Sequence, residues 1–176
     1  MNKRDRNTFD TRTLTVTAVL LAMNIVMSSS VLSIPVPGGH MYLNDLIICT
    51  AAVLLNPFCA FVVGGIGAFL GDMLFYPTPM FVSLVTHGVQ AVVISLCVHR
   101  LGKAHPARAS VVGAVLGLIL TVAGYSFGRA FIYSTPEYAL LKLPFQILQT
   151  LVGEGLALLL LWRAGLARLY EKQFRP

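Results

Sequence analysis

The 176-residue chain is 56% hydrophobic and only 11% charged, with a mean hydropathy of +0.77. Soluble domains carry about 25% charged residues, so this composition excludes an ordinary soluble enzyme and indicates an integral membrane protein. The net charge of +6 does not indicate a nucleic-acid partner, because eleven of the 13 basic residues flank apolar runs in three clusters.

Six apolar segments predict an all-α protein with six transmembrane helices in one membrane domain, residues 1–176. A helix needs about 20 apolar residues to cross a bilayer, and prolines separate several of the segments. The predicted helices cover residues 13–32, 43–55, 58–75, 79–99, 109–133 and 138–163. The basic clusters at both termini and at 100–108 predict a cytoplasmic side, so the other loops face outward. We therefore expect a multi-pass protein of the cell membrane with both termini cytoplasmic.

The segment PVPGGHMYLND, residues 35–45, interrupts this pattern with two prolines and two glycines. The helix predicted after it has 13 residues, which gives a length of roughly 20 Å and is short for a full crossing. Irregular backbone at membrane depth is tolerated only where it is buried in protein or lines a cavity. We expect this loop to fold over a cavity at the outer end of the protein.

Polar side chains recur at helical spacing on the predicted fourth, fifth and sixth helices. Such residues are costly in a membrane span and are usually functional. With the loop, they predict a binding site made of His40, Tyr42, Asn44, His87, Gln90, Tyr125, Arg129, Tyr133, Gln146 and Gln149. Ser83 and Lys142 lie on the same stripes. The mixture of donors, acceptors and rings suits a small, neutral, flat heterocycle. The competing interpretation is that these groups only pair with one another between helices.

Three carboxylates are expected to have structural roles. Asp72 is expected to pair with Arg129, and Asp45 is expected to cap the second helix. Glu154 is about 12 Å deeper than Gln146, which favours a buried hydrogen-bonding residue over a ligand contact. A proton relay through Glu154 is the alternative.

Small residues at helical spacing predict close helix packing, most densely at Gly64, Gly65, Gly67 and Gly71. Ala18 and Ala22 have the same four-residue spacing on the first helix, and ordinary packing is favoured for them by spacing alone. The sequence contains no GxxxxGK[ST] motif, so we expect no ATP hydrolysis by this chain. No catalytic residue, metal site or cofactor is predicted.

The stretch PGGHMYLNDLIICTAAVLLNPFCAFVVGGIGAFLGDMLF, residues 37–75, resembles the S component of energy-coupling factor (ECF) vitamin transporters. S components are the substrate-binding membrane subunits of these importers, and the likeness extends from residue 14 to about residue 160. The resemblance implies two kinds of partner, a transmembrane coupling subunit (EcfT-like) and two ATPase subunits (EcfA-like). It also implies that Ala18 and Ala22 dock on the coupling subunit, that the loop after helix one is a gate, and that the subunit topples in the membrane.

Within this family, the chain resembles the branch that binds hydroxymethylpyrimidine or pyridoxine-like rings more than the riboflavin, thiamine or biotin branches. A lysine often precedes a glycine in the fourth helix of that branch, and His87 stands at this position here. Pantothenate and folate remain alternatives. The rival functional class is a membrane-embedded enzyme or a stand-alone facilitator that uses Glu154, His87 and Arg129.

Overall fold

The computed structural model describes residues 10–29, 32–37, 39–102 and 104–174. Several residues on which the sequence predictions drew lie outside these ranges. They are the basic residues Lys3, Arg4, Arg6, Lys103 and Arg175 and two residues of the predicted first helix, Ser30 and Val31.

Seven helices and one short hairpin make up the described part of the chain. They are α1 (Thr11–Met27), β1 (Ile34–Val36), β2 (Gly39–Met41), α2 (Asn44–Leu54), α3 (Pro57–Phe75), α4 (Met80–Leu101), α5 (Pro106–Tyr133), α6 (Pro136–Arg163) and α7 (Leu166–Phe174). Each of the helices α3 to α6 includes one π-helical turn. In the described residues, these four helices are long and apolar enough to cross a membrane, and α1 and α2 are shorter apolar helices. The protein is therefore an all-α membrane protein, and the count of six spans stays a prediction.

The first helix ends at Met27, earlier than the predicted end at residue 32. The hydroxyl of Ser28 donates to the carbonyl oxygen of Asn24 at 3.1 Å, and the Ser28 amide closes the last turn. Serine side chains compete for backbone hydrogen bonds in this way and often mark helix ends. Apolarity alone does not report this competition, which is why the predicted helix was too long.

Helix α2 lies at the centre of the bundle, where α1, α4 and α6 pack around it. Every residue of α2 except Leu46 is buried. The turn after it begins α3 at Pro57, and the Asn56 side chain accepts a hydrogen bond from the Cys59 amide at 3.0 Å. Because protein surrounds α2, its short length exposes little backbone to lipid.

The glycines of α3 lie at close contacts with two neighbouring helices. A Cβ added at Gly64 would lie 2.8 Å from the carbonyl oxygen of His87 on α4. One added at Gly67 would lie 2.6 Å from Nδ2 of Asn24 on α1, which donates to the carbonyl oxygen of Val63 at 2.7 Å. The predicted close packing by small residues is therefore present on two sides of α3.

Two glycines on α6 provide a matched test of this packing. A Cβ at Gly153 would lie 2.6 Å from Cβ of Asp45 and 3.1 Å from the backbone nitrogen of Leu46, whereas nothing lies within 4 Å of one at Gly155. We expect Gly153→Ala to lower the free energy of unfolding by about 1–2 kcal/mol, because overpacking outweighs the gain in helix propensity. Gly155→Ala should leave stability unchanged or raise it by up to about 1 kcal/mol. Equal melting temperatures for the two variants would contradict the observed crossing of α6 over α2.

The segment predicted as an irregular loop forms an antiparallel hairpin. Its strands pair Ile34 with Met41 and Val36 with Gly39, and Gly39 has a φ of +136° that favours glycine. Two hydrogen bonds join the hairpin segment to α6, one at a residue of β2 and one at the residue that follows β2. The Lys142 ammonium donates to the carbonyl oxygen of His40 at 2.6 Å, and the Tyr42 amide donates to Oε1 of Gln149 at 3.1 Å. We call the end of the bundle that carries β1 and β2 the hairpin end.

Helix α7 was not predicted, because the last predicted helix ends at residue 163. Gly165, with a φ of +79°, separates it from α6. Ala167 is buried against the bundle, whereas Arg168 and Lys172 are exposed. This amphipathic helix is too short to satisfy the length that a membrane span requires, so a search for spans misses it.

Candidate ligand-binding site

A cavity of about 70 Å³ lies under the hairpin, where α2, α3, α4, α5 and α6 meet it. Nine of the ten residues predicted to bind substrate line this cavity. They are His40, Tyr42, Asn44, His87, Tyr125, Arg129, Tyr133, Gln146 and Gln149. The structure thus brings residues from the loop and from four helices, α2, α4, α5 and α6, to one place, and their role in binding stays a prediction.

The tenth predicted residue, Gln90, does not line the cavity but lies beneath it, with no exposed surface. Its side-chain amide donates to Oδ1 of Asp45 at 3.0 Å and to Oε1 of Glu154 at 2.9 Å. Its Oε1 accepts a hydrogen bond from Nδ1 of His87 at 2.7 Å. Gln90 therefore links three buried ionisable residues, and the ligand contact predicted for it stays a prediction.

Asp45 is part of the same network and does not cap α2 as expected. It lies in the first turn, but its carboxylate accepts from Gln90 and from Nε2 of Gln149, the latter at 3.3 Å. Nδ1 of His87 is 3.9 Å from Oδ1 of Asp45. Asp45 thus supports His87 and Gln149, two residues of the cavity wall, from below.

The expected ion pair between Asp72 and Arg129 is also not formed. No guanidinium nitrogen of Arg129 lies within 4.0 Å of a carboxylate oxygen of Asp72. Asp72 instead accepts a hydrogen bond from the hydroxyl of Ser83, which in turn accepts one from the Tyr125 hydroxyl at 2.6 Å. Ser83 was on the predicted polar stripe of the fourth helix, and it lies closer to Asp72 than the guanidinium does. Opposite charge alone was a poor guide to the partner.

Three polar lining residues, Asp72, Tyr76 and Lys142, were not among the ten predicted to bind the ligand, although Lys142 had been placed on a polar stripe. Lys142 lies four residues before Gln146, so its position on the same helical face was a usable signal. Tyr76 follows the end of α3 and is four residues from Asp72, which is the same spacing. Burial raises the pKa of the Tyr42 phenol above its ordinary value, and the Asp72 carboxylate adds to this shift.

Four buried polar atoms of the cavity wall have no hydrogen-bond partner in the part of the chain that the structure describes. They are Oδ1 of Asn44, Nη1 of Arg129, Oη of Tyr133 and Nε2 of Gln146. A buried polar group left unsatisfied costs about 1–3 kcal/mol. Four such atoms around one cavity are what a polar solute could satisfy.

A larger cavity of about 360 Å³ lies at the opposite end of the bundle, between α2, α4 and α7. Two of its polar side chains already have protein partners. Nε2 of His99 is 2.9 Å from the carbonyl oxygen of Leu55, and the Trp162 indole donates to the Ser110 hydroxyl at 2.8 Å. The smaller cavity at the hairpin end is therefore the better candidate for binding a polar solute.

The outward face of α1 carries the two alanines predicted to dock on a partner. Ala18 and Ala22 are exposed, whereas Leu20 and Asn24 face the bundle and are buried. The large side chains beside the alanines, among them Val19, are apolar and exposed. This face is thus available to lipid or to another membrane helix.

A bundle of apolar helices with a polar, hairpin-covered cavity is the architecture of a membrane protein that binds a small solute. The chain matches the family described as "ECF-type riboflavin transporter, S component" over residues 8–168, and it belongs to that family. The S-component resemblance seen in the sequence is thereby confirmed. The family description names riboflavin, and the hydroxymethylpyrimidine or pyridoxine branch is not confirmed.

One curated relative adds to this comparison. The chain is 30% identical over 147 residues to a Pyrococcus woesei protein described as "Uncharacterized protein in gap 3'region". The match covers 80% of this chain and 97% of the relative. Family membership makes the chain a multi-pass membrane subunit of a vitamin transporter, with coupling and ATPase subunits as the implied partners.

Proposed function

We propose that this chain is the high-affinity binding and translocation subunit of an ATP-driven importer for a small vitamin or vitamin precursor. The observation that carries the proposal is the set of four unpartnered polar atoms on the wall of one cavity. In this proposal the chain has six spans and cytoplasmic termini, and the hairpin faces outward. The solute enters under the hairpin and contacts residues of the cavity wall, the nine predicted ones among them.

The size of the cavity favours a single-ring solute. Ligand pockets typically have volumes of several hundred Å³, so a cavity of about 70 Å³ must expand to admit any vitamin. A hydroxymethylpyrimidine or pyridoxine-like ring needs less expansion than the three fused rings of riboflavin. Two hydrogen bonds, one donated by Lys142 to the hairpin and one accepted by Gln149 from the Tyr42 amide, can break when the hairpin lifts.

The exposed face of α1 supports docking on a coupling subunit, which would bind two ATPase subunits on its own cytoplasmic side. Ala18 and Ala22 would let the backbones of the two helices approach closely. The whole subunit would then topple and carry the solute to the inside.

The rival proposal, an enzyme or facilitator that uses Glu154, His87 and Arg129, has less support. Glu154 does not line the cavity that His87 and Arg129 line, and Gln90 lies between Glu154 and His87. The three side chains therefore do not converge on one solute-accessible point.

A thermal-shift screen of the purified full-length chain identifies the solute. The panel contains hydroxymethylpyrimidine, pyridoxine, riboflavin, thiamine, biotin, pantothenate and folate. A solute present at 100 times its dissociation constant should raise the free energy of unfolding by about 2.7 kcal/mol. Riboflavin as the tightest ligand would contradict the single-ring part of the proposal and leave the transporter assignment intact.

Removing the side chain of Gln146 should weaken binding of the best ligand without destabilising the empty protein. Its Nε2 has no partner among the described residues, so Gln146→Ala removes a group whose hydrogen bond forms only with solute. We expect a loss of about 1–3 kcal/mol of binding free energy by titration calorimetry. The matched control is Gln173→Ala on the exposed side of α7, which should bind as the wild type does. Unchanged affinity in Gln146→Ala would contradict the assignment of this cavity.

A further inference from the structure

Two cationic side chains line the cavity and are almost completely buried. Arg129 is 8% exposed and Lys142 is 2% exposed. In the described part of the chain, neither has a carboxylate within 4.0 Å. The Lys142 ammonium donates to a carbonyl oxygen, that of His40, and the Arg129 guanidinium lies 5.8 Å from the centre of the Tyr133 ring.

The carboxylates near the cavity are engaged elsewhere. Asp72 lines the cavity but accepts its hydrogen bond from Ser83. Asp45 and Glu154 do not line the cavity and share the side-chain amide of Gln90 beneath it. The wall therefore carries two cations and one carboxylate that is bonded to another residue.

A buried charge without a counter-charge is strongly unfavourable, because it loses its hydration and gains no compensating attraction. The remaining source of compensation is the occupant of the cavity. We propose that the solute carries an anionic oxygen group, a carboxylate or a phosphate, that contacts Arg129 and Lys142. This inference rests on the proposed function as a solute-binding subunit, and it replaces the neutral ring expected from the sequence.

The other unpartnered atoms fit such a solute. Nε2 of Gln146 and the Tyr133 hydroxyl can donate to the same anionic oxygens, and Oδ1 of Asn44 can accept from an N–H or O–H elsewhere on the molecule. Charge-assisted hydrogen bonds are shorter and stronger than neutral ones. The anionic group should therefore supply much of the affinity and the discrimination against neutral analogues.

Pairs of compounds that differ mainly in charge test this inference on the full chain in nanodiscs. The carboxylate pairs are nicotinate with nicotinamide and pantothenate with panthenol, and the phosphate pairs are pyridoxine 5′-phosphate with pyridoxine and FMN with riboflavin. We expect at least one acidic member to bind about tenfold or more tightly than its neutral partner. The kind of pair that shows the preference identifies the group as carboxylate or phosphate.

Arg129→Gln should reduce that preference about tenfold or more, because it removes the charge but keeps hydrogen-bond donors. The matched control, Arg100→Gln, changes an exposed arginine on the last turn of α4, away from the cavity, and should leave the preference unchanged. Tighter binding of the neutral members, or an unchanged preference in Arg129→Gln, would overturn the inference while the binding function stands.

A second measurement needs no ligand. Because Arg129 is an uncompensated buried charge in the empty protein, Arg129→Gln should raise the melting temperature of the ligand-free chain by about 2–4 °C. A lower melting temperature would mean that the guanidinium has a structural role, and it would overturn the inference. If none of the eight compounds binds and none is taken up with ATP, the proposed function fails. The melting temperature of ligand-free Arg129→Gln then still tests whether the charge is uncompensated.

Discussion

Replacing Ala18 or Ala22 with leucine is expected to abolish ATP-driven uptake while the affinity for the solute stays unchanged. Both alanines are exposed on the outward face of α1, away from the cavity. A leucine at either position would hold a partner helix apart at a contact that depends on small residues. Solute binding should survive because α1 is packed on the bundle through its other face, which includes Leu20 and Asn24.

Co-purification with the coupling and ATPase subunits measures assembly, and calorimetry measures solute binding. Val115→Leu is the control, since Val115 is an exposed apolar residue on α5, and it should leave both quantities unchanged. A parallel loss of assembly and binding in the alanine variants would indicate misfolding and would remove the support for docking through α1.

Gln90→Leu is expected to cause the largest loss of stability. The amide of Gln90 donates to two buried carboxylates and accepts from His87. An apolar side chain there would leave Asp45 and Glu154 next to each other without a shared donor, which should cost about 3–5 kcal/mol. We expect little folded protein in detergent and a much lower melting temperature.

Glu154→Gln is the informative comparison for this variant. An amide oxygen at position 154 can still accept the hydrogen bond from Gln90, so the free energy of unfolding should change by about 1 kcal/mol or less. Solute affinity should also be unchanged, because Glu154 does not line the cavity. A Gln90→Leu protein as stable as the wild type would show that the network contributes little to the fold.

The sequence predicted well which polar side chains share a helical face. It predicted less well how far each side chain lies from the hairpin end. Spacing of three or four residues places His87 and Gln90 on the same face of a helix, and this is what the structure contains. However, Gln90 lies about 4.5 Å further from the hairpin end, where side chains of α2 and α6 cover it. Which members of a polar stripe contact a cavity depends on the neighbouring helices, and one helix's sequence does not contain that information.

Pairings between distant segments were the weakest predictions, for the same reason. Asp72 was assigned to Arg129 by charge, but Ser83 is the residue that packs against it. The strands of the hairpin have three residues each, which is too short for an alternating pattern to be read. The identity of the solute is beyond such reasoning altogether, because the residues that line the cavity come from the hairpin segment and from five helices at once.

The most direct test of the central claim is uptake by the reconstituted complex. The chain is placed in liposomes with a coupling subunit and two ATPase subunits, and accumulation of the radiolabelled best ligand is followed with ATP or a non-hydrolysable analogue. The account predicts accumulation only with the complete complex and hydrolysable ATP. Accumulation by this chain alone, or accumulation that does not require ATP hydrolysis, would contradict it.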